Sequence, residues 1–124
     1  RVIYGDTDKM GIAYYANYLR WFEIGRNEMF RSLGVLYKDI ETKGVFLPVS
    51  EAFCKYIASA KYDDLLTIET KLDTAVKAGM KFDYEIFNEQ GTLLVKGHTK
   101  HAYVNAEGKV LRPPKFLSEL FRAE

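Results

Sequence analysis

The feature that most limits the fold of this chain is one long helical pattern near the N-terminus, from about residue 16 to residue 33. Apolar residues recur there at spacings of three and four, which is the period of a helix with one buried face. Gly34 is placed to end this helix in a left-handed turn. Trp21 lies beside the apolar stripe, and we expect it to face a subunit contact. The stripe itself consists of Tyr18, Phe22, Gly25, Met29 and Leu33.

The rest of the chain is dominated by runs in which apolar and polar residues alternate, the period of half-buried strands. A run of strands with hairpin-type connections, after one helix, predicts an antiparallel sheet wrapped on that helix, an α+β fold in a single domain of residues 1–124. A short terminal helix is expected from near Pro114. Extended segments are expected at residues 1–5, 46–59, 66–73, 80–86 and 92–105, with a short helix or turn at 35–43 and a hairpin loop at 88–91.

The composition limits the classes of molecule that this protein is expected to bind. A net charge of +1 without long runs of like charge argues against nucleic acid or an anionic membrane as the main partner. No apolar run approaches the length of a membrane span, and no signal peptide is visible. The single cysteine, Cys54, excludes an internal disulfide and fits a reducing compartment, so we expect a cytoplasmic protein. Because the sequence starts without Met, apparently inside a strand, we also expect residues before Arg1.

The segment between residues 4 and 18 carries the most chemistry. Asp6 and Asp8 precede the long helix, and Gly11 allows a close approach of the backbone to a ligand. An Asp-x-Asp pair before a helix is often only turn and cap chemistry. The alternative is a carboxylate in front of a helix N-terminus, where free N–H groups and the helix dipole favour developing negative charge. An acyl carbonyl between the two would meet a nucleophile or base and an oxyanion site.

The motifs in this segment resemble a known family. The run Asp6-x-Asp8-x-x-Gly11, then Tyr15-x-Asn17-Tyr18 and Trp21-Phe22, is similar to the signature of the 4-hydroxybenzoyl-CoA thioesterase-like hotdog family, and residues 60–70 look like its entry into the third strand. The resemblance implies a hotdog fold, with an antiparallel sheet of about five strands around one long central helix. It also implies an acyl-CoA thioesterase without cofactor, coenzyme A being part of the substrate. Subunits would pair edge to edge in a homo-oligomer, a tetramer of two dimers, with active sites at the dimer interface.

The resemblance also implies the roles of particular residues. Asp8 would be the catalytic carboxylate, as nucleophile or as general base, and Asp6 a structural cap. The backbone N–H of Tyr15 would be the oxyanion donor, and Tyr4 and Asn17 would shape the pocket. In the Tol–Pal-associated branch of acyl-CoA thioesterases the position of Tyr15 usually holds His. The tyrosine here matches the 4-hydroxybenzoyl branch, so the mechanism of the other branch does not transfer directly.

Several further residues have two interpretations. Lys77 precedes Ala78-Gly79, where the family often presents groups to the phosphates of coenzyme A, and Arg112 is a second candidate for such a contact. The alternative for both residues is a solvated surface cation. His98 and His101 are three apart on a strand and should point to opposite faces, which argues against a shared metal ion. Cys54 is interpreted as a small buried residue.

Two other functions compete with the thioesterase. A non-catalytic acyl-CoA or ligand-binding hotdog module is possible because fold does not dictate function, but a passive binder has no need of Asp8. A hotdog dehydratase usually pairs an acid with a histidine, and neither histidine lies near the motif in sequence. The identity of the acyl group stays open.

Overall fold

A computed structural model describes the backbone of residues 1–122 and the side chains of residues 1–120. The chain begins with a single 3-10 turn at Tyr4–Asp6. The remaining elements follow the order predicted from the sequence. They are α1 (Asn17–Ser32), α2 (Tyr37–Thr42), β1 (Val49–Tyr56), β2 (Thr67–Leu72), β3 (Met80–Phe87), β4 (Leu93–His101) and α3 (Lys115–Arg122).

The strands form one antiparallel sheet in the order β1-β4-β3-β2, so the predicted α+β class is confirmed. Within residues 1–122 the sheet has four strands, against the five or so expected, because residues 1–5 do not form a strand. The carboxylate of Asp6 accepts a hydrogen bond from the Ile3 N–H (3.0 Å) and closes a turn there. Val2 instead exchanges backbone hydrogen bonds with Asp63 and Asp64, in the segment before β2.

Helix α1 packs across one face of the sheet and forms the core with it. On β3 every second side chain is buried, as the alternation predicted: Met80, Phe82, Tyr84 and Ile86. The ring of Phe22, from the helical stripe, stacks on Tyr84 with 4.2 Å between ring centroids. Burying a ring of this size stabilises the fold by about 2–3 kcal/mol relative to leaving it in water.

Trp21 departs from the prediction that it faces a subunit contact. Only 5% of this residue is exposed within the single chain. Its ring meets the Tyr18 ring edge to face, with 4.9 Å between centroids. The helical stripe is therefore wider than the spacing suggested, and Trp21 belongs to the core. Gly34 does follow α1 in the predicted left-handed conformation, with φ of +82°.

A chain of buried polar groups crosses this core. Arg26, 9% exposed on α1, donates to the Tyr84 hydroxyl (3.1 Å), which hydrogen-bonds Thr99 (2.7 Å). The Thr99 hydroxyl bonds Nε2 of His101 (2.9 Å), and Nδ1 of that ring bonds the Leu47 carbonyl (2.9 Å). These bonds join α1, β3, β4 and the segment before β1. Buried polar groups that are bonded in this way avoid a large desolvation penalty.

The two ends of the sheet carry different loops. At one end the Leu94 carbonyl accepts hydrogen bonds from the N–H groups of Ile57 (2.8 Å) and Ala58 (3.0 Å), in the segment after β1. This segment contacts the motif loop, residues 6–14, through the hydrogen bond from the Ala13 N–H to the Ala60 carbonyl. At the other end His101 pairs with Met80, at the start of β3. The length of β4 from Leu94 to His101 corresponds to roughly 20 Å.

Candidate active site

The motif loop is a small hairpin that leads into α1. Thr7 pairs with Ala13, the Asp8 N–H donates to the Ile12 carbonyl (3.0 Å), and the Tyr14 N–H donates to the Asp6 carbonyl (2.8 Å). Its tip is closed by the N–H of Gly11, which donates to the Asp8 carbonyl (3.0 Å). Gly11 has φ of +78°, a conformation that costs other residues free energy. The glycine is therefore needed here for the turn itself.

Asp8 lies at the exposed tip of this hairpin. Its Oδ1 accepts a hydrogen bond from the Met10 N–H (2.8 Å), which fixes the direction of the carboxylate. For Oδ2 no partner is present in residues 1–122. One carboxylate oxygen is thus oriented and available to a substrate or a water molecule.

Asp6 has the opposite environment, since it is only 5% exposed. One oxygen accepts the Ile3 N–H (3.0 Å) and the other is paired with the guanidinium of Arg20 (2.7 Å). The Asp6 carbonyl also accepts a hydrogen bond from the Asn17 side chain (2.8 Å), which ties the loop to the first residue of α1. Both carboxylate oxygens are engaged, so this side chain holds the loop together. The sequence motif does not include Arg20, which reaches this loop from the first turn of α1, so its role was not predicted.

The start of α1 presents free backbone donors. The Tyr14 carbonyl accepts the Asn17 N–H (3.0 Å), and the Tyr15 carbonyl accepts the Tyr18 N–H (3.4 Å). The N–H groups of Tyr15 and Ala16 have no acceptor in the part of the chain that the structure describes. Such unpaired groups at a helix N-terminus carry partial positive charge and favour an anion.

An aromatic wall stands beside these donors. Tyr15, Tyr18 and Tyr56 line a cavity of about 260 Å³ together with residues 12–13 and 57–59. The Tyr56 hydroxyl donates to the Tyr15 carbonyl (3.1 Å) across 41 positions of sequence. Tyr4 is exposed on the same loop, and its ring lies 5.9 Å from that of Tyr62. Tyr56 carried no motif signal in the sequence and was missed.

The two predicted phosphate contacts lie elsewhere. Lys77 is exposed in the loop between β2 and β3, where its ammonium donates to the Thr74 carbonyl (3.1 Å). It lines a cavity of about 390 Å³ with Met80, Tyr103 and Pro113, so Arg112 is close in sequence to the same cavity. That cavity is at the His101 end of the sheet, whereas the motif loop is at the Leu94 end. A single chain does not bring Lys77 or Arg112 to Asp8.

His98 and His101 lie on opposite faces of β4, as predicted. His98 pairs with Glu51 on the outer face (2.7 Å), whereas His101 is buried in the core. Burial, and then the neighbouring Arg26, lower the pKa of His101. Cys54 is half-buried against the core, and burial raises the pKa of its thiol. Within residues 1–122 no group of three or more His, Cys, Asp or Glu is arranged to hold a metal ion.

None of the helices in the described part of the chain has both the length and the apolar character needed to cross a bilayer.

Several known proteins are similar to this chain in sequence and in fold. YbgC of Haemophilus influenzae, an acyl-CoA thioesterase, is 33% identical over 121 residues, which covers 97% of this chain and 87% of the relative. DHNA-CoA thioesterase of Staphylococcus aureus is 31% identical, with a TM-score of 0.88, covering 97% of this chain and 81% of that one. An Asp→Asn variant of 4-hydroxybenzoyl-CoA thioesterase, solved with 4-hydroxybenzoyl-CoA, shares the fold at 22% identity, with a TM-score of 0.85 and 97% and 93% coverage.

These similarities confirm the resemblance drawn from the motifs, and with it the hotdog fold and the prediction of a thioester hydrolase. The family model described as the thioesterase-like superfamily matches residues 2–121. That match spans nearly the whole chain, and this protein therefore belongs to the thioesterase-like superfamily.

Proposed function

We propose that this enzyme hydrolyses an acyl-CoA thioester to a free acid and coenzyme A, with Asp8 as its catalytic carboxylate. The observation that carries the proposal is the contrast within one loop. Both oxygens of Asp6 are engaged inside the protein, whereas Asp8 keeps one oxygen free at an exposed and oriented position. The relatives named for acyl-CoA and DHNA-CoA thioesterase activity support the substrate class.

Two routes are open to Asp8. As a nucleophile its carboxylate attacks the thioester carbon, the C–S bond breaks, and water then hydrolyses the mixed anhydride. As a general base it takes a proton from a water molecule that attacks the same carbon. In both routes the thiolate of coenzyme A leaves without strong protonation, because a thiol has a pKa near about 8.5. Water is the only other reactant, so we propose no cofactor.

The N–H of Tyr15 is proposed as the donor that binds the thioester oxygen. This oxygen gains negative charge when the carbonyl carbon becomes tetrahedral. The free N–H at the start of α1 is already directed and needs no reorganisation, which makes such donors effective; loss of one oxyanion donor costs roughly 10²–10³ in rate. Gly11, Tyr4 and Asn17 are proposed to keep the loop in place around the acyl group.

Lys77 and Arg112 are proposed to serve the site of a second copy of the chain. Lys77, and Arg112 next to Pro113 in sequence, belong to the His101 end of the sheet, and β4 extends roughly 20 Å from there to the Leu94 end, where the Asp8 loop lies. A twofold pairing of chains along an edge strand places opposite ends of two sheets side by side. The proposed assembly is a tetramer of two such dimers in the cytoplasm, with each coenzyme A bound between two chains.

The first experiment measures hydrolysis of acetyl-CoA, decanoyl-CoA, palmitoyl-CoA and benzoyl-CoA by the wild-type protein and by Asp8→Asn. Asparagine keeps the size of the side chain but removes its charge and basicity. We expect kcat to fall by at least about a hundredfold, whereas KM stays similar. A wild-type protein that hydrolyses none of these thioesters contradicts the proposed function, and the ligand-binding module becomes the better interpretation.

A second experiment tests the shared site. Asp8→Asn and Lys77→Ala chains carrying different tags are co-expressed, and mixed dimers are purified through both tags. If Lys77 serves the partner's site, one of the two sites in each mixed dimer is intact, and about half of the wild-type activity returns. If Lys77 serves its own chain, each site carries one defect, and at substrate concentrations well below KM the activity is no more than half of that of Lys77→Ala alone, which contradicts the shared site.

A further inference from the structure

The free donors at the start of α1 belong to two consecutive peptide groups. The Tyr15 N–H is on the group whose carbonyl, that of Tyr14, accepts the Asn17 N–H at 3.0 Å. The Ala16 N–H is on the next group, whose carbonyl is that of Tyr15. A trans peptide group is planar, and its N–H and C=O point in opposite directions. Whatever holds the carbonyl of such a group therefore also directs its N–H.

The second peptide group is held less firmly by the helix than the first. Its carbonyl accepts the Tyr18 N–H at 3.4 Å, which is long for a backbone hydrogen bond. The Tyr56 hydroxyl donates to the same carbonyl at 3.1 Å, only slightly beyond the usual O–H···O range. Tyr56 thus supplies the shorter of the two hydrogen bonds that orient the Tyr15–Ala16 peptide group.

Tyr56 is itself well fixed, although it lies on the edge strand β1. Its ring packs edge to face against Tyr18, with 5.3 Å between centroids, and against Tyr15 at 6.4 Å. Tyr18 is buried, and its hydroxyl accepts the Ala60 N–H (3.1 Å). Burial, and then the neighbouring Cys54 thiol, raise the pKa of Tyr56 to about 12. Its hydroxyl therefore stays protonated and able to donate at neutral pH.

We propose that Tyr56 is a positioning residue for the thioester hydrolysis, and that its hydroxyl directs the Ala16 N–H as a second donor to the thioester oxygen beside the Tyr15 N–H. This inference rests on the proposed function. Tyr56 acts through the backbone and does not itself touch the substrate oxygen. Two convergent N–H groups stabilise a developing oxyanion better than one, and the second contributes only when its peptide group keeps its direction.

The test is Tyr56→Phe, which keeps the ring and its packing and removes only the hydroxyl. With benzoyl-CoA we expect kcat to fall about five- to tenfold, the effect of one neutral hydrogen bond felt in the transition state, whereas KM changes less than about twofold. Tyr62→Phe is the matched control, because Tyr62 is 61% exposed and its hydroxyl has no hydrogen-bond partner in residues 1–122. It should keep wild-type kcat.

A second measurement separates positioning from a purely structural role. The infrared stretch of a ¹³C-labelled carbonyl in benzoyl-CoA is recorded on Asp8→Asn, which we expect to bind the thioester with turnover slowed at least about a hundredfold, and on Asp8→Asn combined with Tyr56→Phe. Donors to the oxygen lower this frequency, so loss of a directed donor should raise it. Adding Tyr62→Phe to Asp8→Asn should leave it unchanged.

An unchanged kcat in Tyr56→Phe, or an unchanged carbonyl frequency in the combined variant, overturns the role of Tyr56. If Asp8→Asn still abolishes turnover in that case, the proposed function stands and only the positioning role fails. If Asp8→Asn keeps normal turnover, the proposed catalytic carboxylate fails, whatever Tyr56 does.

Discussion

The two carboxylates of the motif loop should respond in opposite ways to the same substitution, and Asp6→Asn is the more informative of the pair. The Asp6 carboxylate is buried and divides its oxygens between the Ile3 N–H and the Arg20 guanidinium. Asparagine retains one acceptor oxygen and brings an NH₂ group that cannot accept a bond. One of the two interactions is therefore lost in the variant.

The size of the loss follows from the exposure of the partner. A hydrogen bond to a charged group contributes about 1.5–3 kcal/mol when both groups leave water. The Arg20 side chain is 49% exposed and can be hydrated again, which reduces the net loss. We expect Asp6→Asn to lower the free energy of unfolding by about 1–2 kcal/mol and Tm by roughly 4–8 °C, with kcat reduced less than about threefold in the folded protein.

Urea unfolding and steady-state kinetics on the same samples check this expectation. Asp8→Asn is the control, because its bond to the Met10 N–H lies on an exposed turn and its loss should cost at most about 0.5 kcal/mol. A double-mutant cycle with Arg20→Gln measures the coupling of Asp6 to Arg20. The assignment is reversed if Asp6→Asn abolishes turnover while folded and Asp8→Asn does not. If both variants stay active, the pair is turn chemistry only.

Other variants test the remaining features. Lys77→Ala should raise KM far more than it lowers kcat, and added salt should raise the KM of the wild-type protein in the same way. An unchanged KM in the variant would mean that Lys77 is only a solvated surface lysine. Gly97→Ala would place a methyl group against the Phe53 carbonyl oxygen, closer than the two atoms can pack, so the free energy of unfolding in urea should fall by about 2–3 kcal/mol, and unaltered stability would contradict this packing. Because the folded-state pKa of His101 is lowered, the free energy of unfolding should be highest above about pH 6.5 and should decrease as the pH falls below that value. His101→Gln should make the decrease between about pH 7 and about pH 5 less steep. An equally steep decrease in the variant would refute this role of His101. Light scattering should give a mass above that of one chain at micromolar concentration, and a monomer mass would rule out the shared site.

The secondary structure was predictable where a strong period extends over many residues. The stripe from residue 16 to 33 predicted α1 to within one residue at each end, and the alternation around Tyr84 predicted β3. Residues 1–5 were too few for a period of two to separate a strand from a turn. Their conformation depends on the hydrogen bond that the Ile3 N–H donates to the Asp6 carboxylate, and a pattern of apolar residues does not reveal such a bond. The subunit contact predicted for Trp21 failed because the core is wider than the stripe.

The arrangement of the candidate site was predictable only where its residues are close in sequence. The motif placed Asp8 and Gly11 in one segment directly before the helix that follows Tyr15, since a turn of this kind is a local structure. The bond from Tyr56 to the Tyr15 carbonyl connects residues 41 apart and depends on how β1 approaches α1. Lys77 lies at the other end of the sheet within one chain, so its predicted contact with coenzyme A depends on the pairing of two chains, which the motif does not describe.

The buried polar chain helps to fix the register of β4, and with it the relative positions of the loops at the two ends of the sheet. Thr99 and His101 reach the Tyr84 hydroxyl and the Leu47 carbonyl only because both face the core side of β4. A slip of β4 by one residue would turn both to the outer face, so the buried Tyr84 hydroxyl would lose its bond to Thr99 and the Leu47 carbonyl its bond to His101. The correct register is thus favoured by the cost of leaving buried polar groups without hydrogen bonds. Since β4 pairs with both β1 and β3, that register also sets the distance between the Asp8 loop and the Lys77 loop.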